Sequence, residues 1–111
     1  MSPVPFAPGA EVVFLSSDGK KSEMYTQRVH LAKDAEIPPH SHPDSRMVTV
    51  LSGELFAGTG PTVDSSNGKL LPAGSFIIMP AGEVHWTWAR NGEVVYQETG
   101  NGPTATNLVK Q

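Results

Sequence analysis

His40-Ser-His42-Pro-Asp-Ser-Arg46-Met-Val-Thr-Val-Leu-Ser-Gly53 and Gly74-Ser-Phe-Ile-Ile-Met-Pro80-Ala-Gly82-Glu-Val-His85 are the two stretches that decide the fold. In an extended strand, side chains alternate faces, so His40 and His42 project the same way. Pro38-Pro39 just ahead favours extended backbone and stiffens the approach. Two histidines on one strand face are often only polar surface. A third, His85, set after a Pro-x-Gly turn, makes convergence on one point the stronger reading.

Outward from these blocks the chain reads as short strands and turns. Residues 11–15 form an apolar run, broken by Ser16-Ser17-Asp18-Gly19. Residues 24–33 alternate, with Val29 and Leu31 on one face and Arg28 and His30 on the other. His30 sits on the polar side and is a weak candidate. Residues 47–51 are β-branched and apolar and end at Ser52-Gly53, and 54–57 continue after that bend. Residues 58–69 carry Gly-Thr-Gly-Pro and Asp-Ser-Ser-Asn-Gly and are expected as a loop or loose hairpin. Phe76–Met79 is a continuous apolar run, as in a strand buried on both faces. Residues 84–89 and 93–99 flank Asn91-Gly92, the strongest short hairpin signal, and are expected to pair. Residues 1–10, with Pro3, Pro5 and Pro8, are expected as an extended N-terminal arm. No stretch has helical periodicity, and there are no internal repeats. The chain reads as all-β and, at 111 residues, as one domain.

The first block resembles the first cupin motif: two histidines, then an acid, then a glycine. The second matches Gly-x5-Pro-x-Gly-x2-His of the second cupin motif at each fixed position up to His85. With the flanking strands, the resemblance covers nearly the whole chain. It implies a cupin-type antiparallel jelly-roll barrel whose motif histidines point into a cavity around a divalent metal. Three positions depart from the pattern. Arg46 stands where relatives carry a metal-binding glutamate, changing that position from an anion to a cation. Ala89 replaces an asparagine, and Asp34 replaces a glycine in a turn that aspartate tolerates reasonably well.

His40, His42 and His85 are the candidate metal ligands. The alternative is a cavity whose histidines bind water or an organic ligand directly. Three imidazoles leave positions open for water and substrate, as a catalytic site requires. Iron, manganese, nickel, copper and zinc all accept such ligands, so the expected cofactor is one divalent transition metal of undecided identity. Arg46 shares its strand face with Val48 and Val50 and should look inward. At about 5 Å a guanidinium repels a divalent ion by several kcal/mol at an effective dielectric of about 20. Three placements are physically sensible: at the rim paired with Asp44, over the cavity holding an anionic substrate, or as the site's own positive charge. Arg46 is expected to govern affinity for small carboxylates rather than integrity of the fold.

A two-residue loop at Asn91-Gly92 would set Glu98 opposite His85, and a one-residue bulge would bring Gln97 there. Because similar cupin sequences often carry glutamine on this strand, Gln97 is the expected cavity residue. Tyr96 is a second candidate for substrate contact. Trp86 and Trp88 fall on the face opposite His85 and are expected in the core or against a second subunit. A homodimer or larger assembly is therefore expected, since a small barrel has limited core and that face would otherwise be exposed.

Charged residues make up 17% of the chain and the net charge is −3, with no basic run, which argues against nucleic acid or an anionic membrane as partner. The absence of cysteine removes thiol nucleophiles, disulfides and thiolate ligands. No stretch approaches the roughly 20 apolar residues of a membrane span. The N-terminus has neither a basic start nor an apolar core, so a cytoplasmic location is expected. The resemblance implies chemistry on a small, possibly anionic, oxygenated molecule, by a dioxygenase, isomerase or lyase. A non-catalytic cupin module that binds a small ligand is the alternative. With Glu83 and Glu98 the nearest acids in sequence, no general base is evident, which disfavours hydrolytic chemistry.

Overall fold

The computed structural model describes residues 1–109. Eleven strands run in chain order as β1 (Ser2–Pro3), β2 (Ala10–Ser16), β3 (Met24–Leu31), β4 (Glu36–Ser41), β5 (Arg46–Ser52), β6 (Glu54–Thr59), β7 (Gly68–Pro72), β8 (Phe76–Met79), β9 (His85–Trp88), β10 (Val94–Asn101) and β11 (Asn107–Leu108). The one helical element among the described residues is a 3₁₀ turn at Ser65–Asn67. No helix there is long and apolar enough to cross a membrane. One sheet orders β1-β2-β3-β10-β5-β8 and the other β11-β4-β9-β6-β7, and all pairings are antiparallel. This is a jelly-roll barrel, with the core between the two sheets.

The period-two pattern decides which side chains fill it. On β3, Tyr25, Gln27, Val29 and Leu31 are buried while Thr26, Arg28 and His30 are partly exposed. On β10, Val94, Tyr96, Glu98 and Gly100 point in. On β5, Arg46, Val48 and Val50 do. Leu31, Leu55 and Val94 are fully excluded from solvent and carry much of the hydrophobic stabilisation. Asp34 adopts φ 72°, the left-handed turn conformation expected of the glycine it replaces, and its N–H donates to Ala89 O at 2.8 Å.

Several expectations need correction. Strands β9 and β10 do not pair, so Asn91-Gly92 is no hairpin: it carries the chain from one sheet to the other. A turn signal encodes a reversal but not its partners, and β9 pairs with β4 and β6 instead. Phe76–Met79 is an edge strand with one open face, Phe76 being 58% and Ile78 59% exposed. The N-terminal residues 1–10 lie against the barrel: Ser2 and Pro3 pair with β2, and Ala7 is buried. Trp86 is fully buried, packed on Phe56 at a 5.6 Å centroid distance, and Arg90 covers Phe56 from outside at 3.9 Å. Trp86 thus packs over Gly58 and Gly68 of the β6–β7 hairpin, while Trp88 on the same face stays partly exposed.

Candidate metal centre

Strand pairing assembles the histidines. His40 on β4 lies directly across from His85 on β9, and His42 follows two residues later on the same face. Their ring centroids are 4.4 Å apart for His40–His85, 4.7 Å for His40–His42 and 5.3 Å for His42–His85. One ring nitrogen from each lies within 4.8 Å of the others, and all three residues are buried.

The backbone selects the tautomers. His40 Nδ1 lies 2.6 Å from Pro38 O, His42 Nδ1 2.8 Å from Ala105 O, and His85 Nδ1 3.1 Å from Glu83 O. A carbonyl oxygen can only accept, so each Nδ1 carries the proton and each Nε2 carries a lone pair. His42 Nε2 is buried without a hydrogen-bond partner. A ring nitrogen stripped of water and left with a free lone pair fits metal ligation, with the carbonyls as outer supports. Burial holds all three rings neutral: it pushes His40 down to about 3 and His42 to about 4, and lowers His85 in the same direction. The three histidines could hold a metal ion.

The facing sheet carries a charged network. Arg46 is buried and points inward, so the rim placement beside Asp44 does not occur. Its Nη1 donates to Glu98 Oε1 at 3.2 Å and its Nη2 to Thr104 Oγ1 at 3.0 Å, while Nε has no partner. Gln27, directly across the ladder from Glu98, donates from Nε2 to the same Oε1 at 2.6 Å. Thr104 in turn donates to Asp44 Oδ1, and Tyr25 to Asp44 Oδ2, each at 2.6 Å. Burial, then the bond to Asp44, pushes the Tyr25 phenol up to about 12. Gly100 makes room for this contact, because a Cβ there would collide with Asp44 and the Tyr25 hydroxyl. Tyr96 is buried in the cavity wall and bonded to Thr87 at 3.1 Å, and burial keeps its phenol protonated well above the ordinary range.

Gln97 is the clear correction. It faces outward and accepts from Arg28 Nη2 at 2.8 Å, while its neighbour Glu98 occupies the cavity. Residues 96 and 97 cannot both face inward on a regular strand, so alternation from Val94 through Tyr96 already pointed to Glu98. Gln27 was equally legible, between the inward Tyr25 and Val29. Ala105 had no such signal, since its contribution is a carbonyl. His30 stays on the outer face, 3.0 Å from Glu93.

The cavity between the sheets measures about 390 Å³ and is lined by the three histidines, Gln27, Arg46, Tyr96 and Glu98, with residues 3–6, 18–20 and 104–106 among the rest of its wall. The fold is that of a cupin-type jelly-roll barrel, with three histidines converging in its cavity. Within that class, a family model described as a domain of unknown function (DUF4437) matches residues 5–108, and the chain belongs to that family. It is 36% identical over 61 residues to germin-like protein subfamily T member 2 of Arabidopsis thaliana, covering 54% of this chain and 28% of that protein. The chain spans under a third of the length of the curated relatives it matches. The polyketide cyclase RemF of Streptomyces resistomycificus has a similar fold, with TM-score 0.81 and 16% identity over 96% of this chain and 75% of that one. So does a recombinant oxalate oxidase in complex with glycolate, with TM-score 0.69 and 24% identity over 87% and 54%.

Proposed function

We propose that the protein is a metal-dependent cupin enzyme acting on a small oxygenated anion, a carboxylate or enolate, as an oxygenase, isomerase or lyase. The observation that carries this reading is the trio of neutral imidazoles whose Nε2 lone pairs converge in the cavity between the sheets. His40, His42 and His85 would hold a divalent transition ion, which when bound supplies Lewis acidity and open coordination positions. Arg46 adds a second cationic group, while Glu98 is the one carboxylate among the cavity's polar residues on the facing sheet. The loaded cavity is therefore net positive and favours an anionic ligand. The volume suits a small molecule held between the sheets.

Glu98 also answers the missing general base, since it stands within the cavity and can take a proton from a bound ligand. Tyr96, held neutral, can only donate or share a hydrogen bond. A carboxylate facing the metal-binding wall favours turnover over passive binding, and for that reason we prefer the enzyme to the ligand-binding module.

Untagged protein should contain about one transition metal per chain, and added metal should raise the melting temperature; a ligand at a hundred times its Kd stabilises by about 2.7 kcal/mol. Replacing His40, His42 or His85 by alanine should strip most of the metal with modest loss of fold. Protein that contains no metal, and whose melting is unmoved by added iron, manganese, nickel, copper or zinc, would rule the proposal out.

A further inference from the structure

We infer that Glu98 selects the ligand: the cavity takes a carboxylic acid that also carries a hydroxyl group, in preference to the corresponding keto acid. The inference rests on the metal reading above and narrows it to a substrate class.

The two walls of the cavity offer different chemistry. One sheet presents three imidazole lone pairs, which a metal ion would take up. The other presents Glu98, whose hydrogen bonds are unevenly shared. Both Gln27 Nε2 and Arg46 Nη1 donate to Oε1, and among the described residues Oε2 receives no donor. A carboxylate can accept about four hydrogen bonds, so Oε2 keeps acceptor capacity open toward the cavity. Glu98 is only 5% exposed, so a donor to Oε2 comes from whatever fills the cavity, water or a ligand that displaces it.

Arg46 is tied into its own wall by two of its five N–H donors. Its two terminal nitrogens are engaged by Glu98 and Thr104, and its Nε is shut off from solvent. An incoming carboxylate would be drawn to the ion on the opposite wall, and the ligand's other end would then face Glu98. An ammonium group could also donate to Oε2, but the ion and the Arg46 guanidinium both oppose a further positive charge there. A hydroxyl donates without adding charge. A keto oxygen in the same place would set two acceptors against each other.

The test is a binding measurement on the metal-loaded full-length chain, by calorimetry, with lactate, pyruvate and acetate as probes. A charge-assisted hydrogen bond should make lactate bind about ten- to a hundredfold tighter than pyruvate, and tighter than acetate. In Glu98→Gln, the amide oxygen can keep the bonds from Gln27 and Arg46, while the amide N–H₂ replaces the free acceptor. The lactate preference should then fall to parity or reverse toward pyruvate. Equal affinities for lactate and pyruvate in the wild type, or a preference unchanged in Glu98→Gln, overturns the inference and leaves the metal reading standing. If Glu98→Gln fails to fold, the wild-type order of the three probes decides alone: lactate tightest supports the inference, any other order overturns it. A chain that loads no metal overturns both.

Discussion

The two inner walls of the barrel hold their polar groups by different means. On the wall built from β4 and β9, each histidine is anchored through Nδ1 to a backbone carbonyl, and every ring is neutral. On the wall built from β3, β5 and β10, Gln27, Glu98, Arg46 and Thr104 hold one another through side chains, and two of them are charged. Backbone anchoring makes each histidine depend on the path of the main chain rather than on its neighbours' side chains. The charged wall is cooperative: removing one member leaves another buried without its partner. The neutral wall should therefore tolerate single substitutions with loss of metal but little loss of fold, and the charged wall should not.

Arg46→Met is the sharpest way to break that contrast. Glu98 would be left as a buried charge, and removing one member of such a pair costs about 3–5 kcal/mol. The melting temperature should fall by more than about 10 °C for a domain of this size. Adding Glu98→Leu should recover much of the loss, because the stranded charge goes too. A fall in Arg46→Met no larger than in His40→Ala would erase the distinction between the walls.

An effect of intermediate size lies at alkaline pH. Tyr25 is raised from 10.0 to about 12, so the folded state favours the neutral phenol. This contribution is fully present below pH 10 and is lost as pH rises through about 12. Tyr96 is shifted the same way, and the chain has only these two tyrosines. Ultraviolet absorbance should show no tyrosinate near pH 10 in the folded protein, whereas the chain in denaturant ionises there. A half-amplitude signal near pH 10 would mean that one phenol is not held as described.

Gln97→Ala should do least. The side chain pairs with Arg28 on the outer face, and stability should change by no more than about 0.5 kcal/mol. Metal content and ligand binding should stay as in the wild type. Beside Glu98→Gln, it separates inward from outward on one strand, and a Gln97→Ala variant with altered ligand affinity would contradict that separation.

Much of this was legible beforehand, where the deciding physics is local. Alternation on β3, β5 and β10 sorts inward from outward residues, and it brought Arg46 inward beside Val48 and Val50. The errors came where one element must choose between partners. Asn91-Gly92 reads as a hairpin turn, yet β9 and β10 lie in different sheets, and it was the likeness to other cupin sequences, not the strand count, that favoured Gln97 over Glu98. Phe76–Met79 reads as doubly buried because apolarity alone does not reveal that β8 is an edge strand.

The sequence by itself determined the strand periodicity, the cupin motifs and the three histidines, because residue spacing along an extended chain dictates which side chains share a face. Only the tertiary structure decided that Glu98 meets Arg46 and Gln27, that Thr104 and Ala105 return to bind Arg46 and His42, and that Trp86 is covered by its own chain. Those contacts join residues as far as 71 positions apart, and their geometry follows from which strands pair and which sheets face, information that no local run of residues contains.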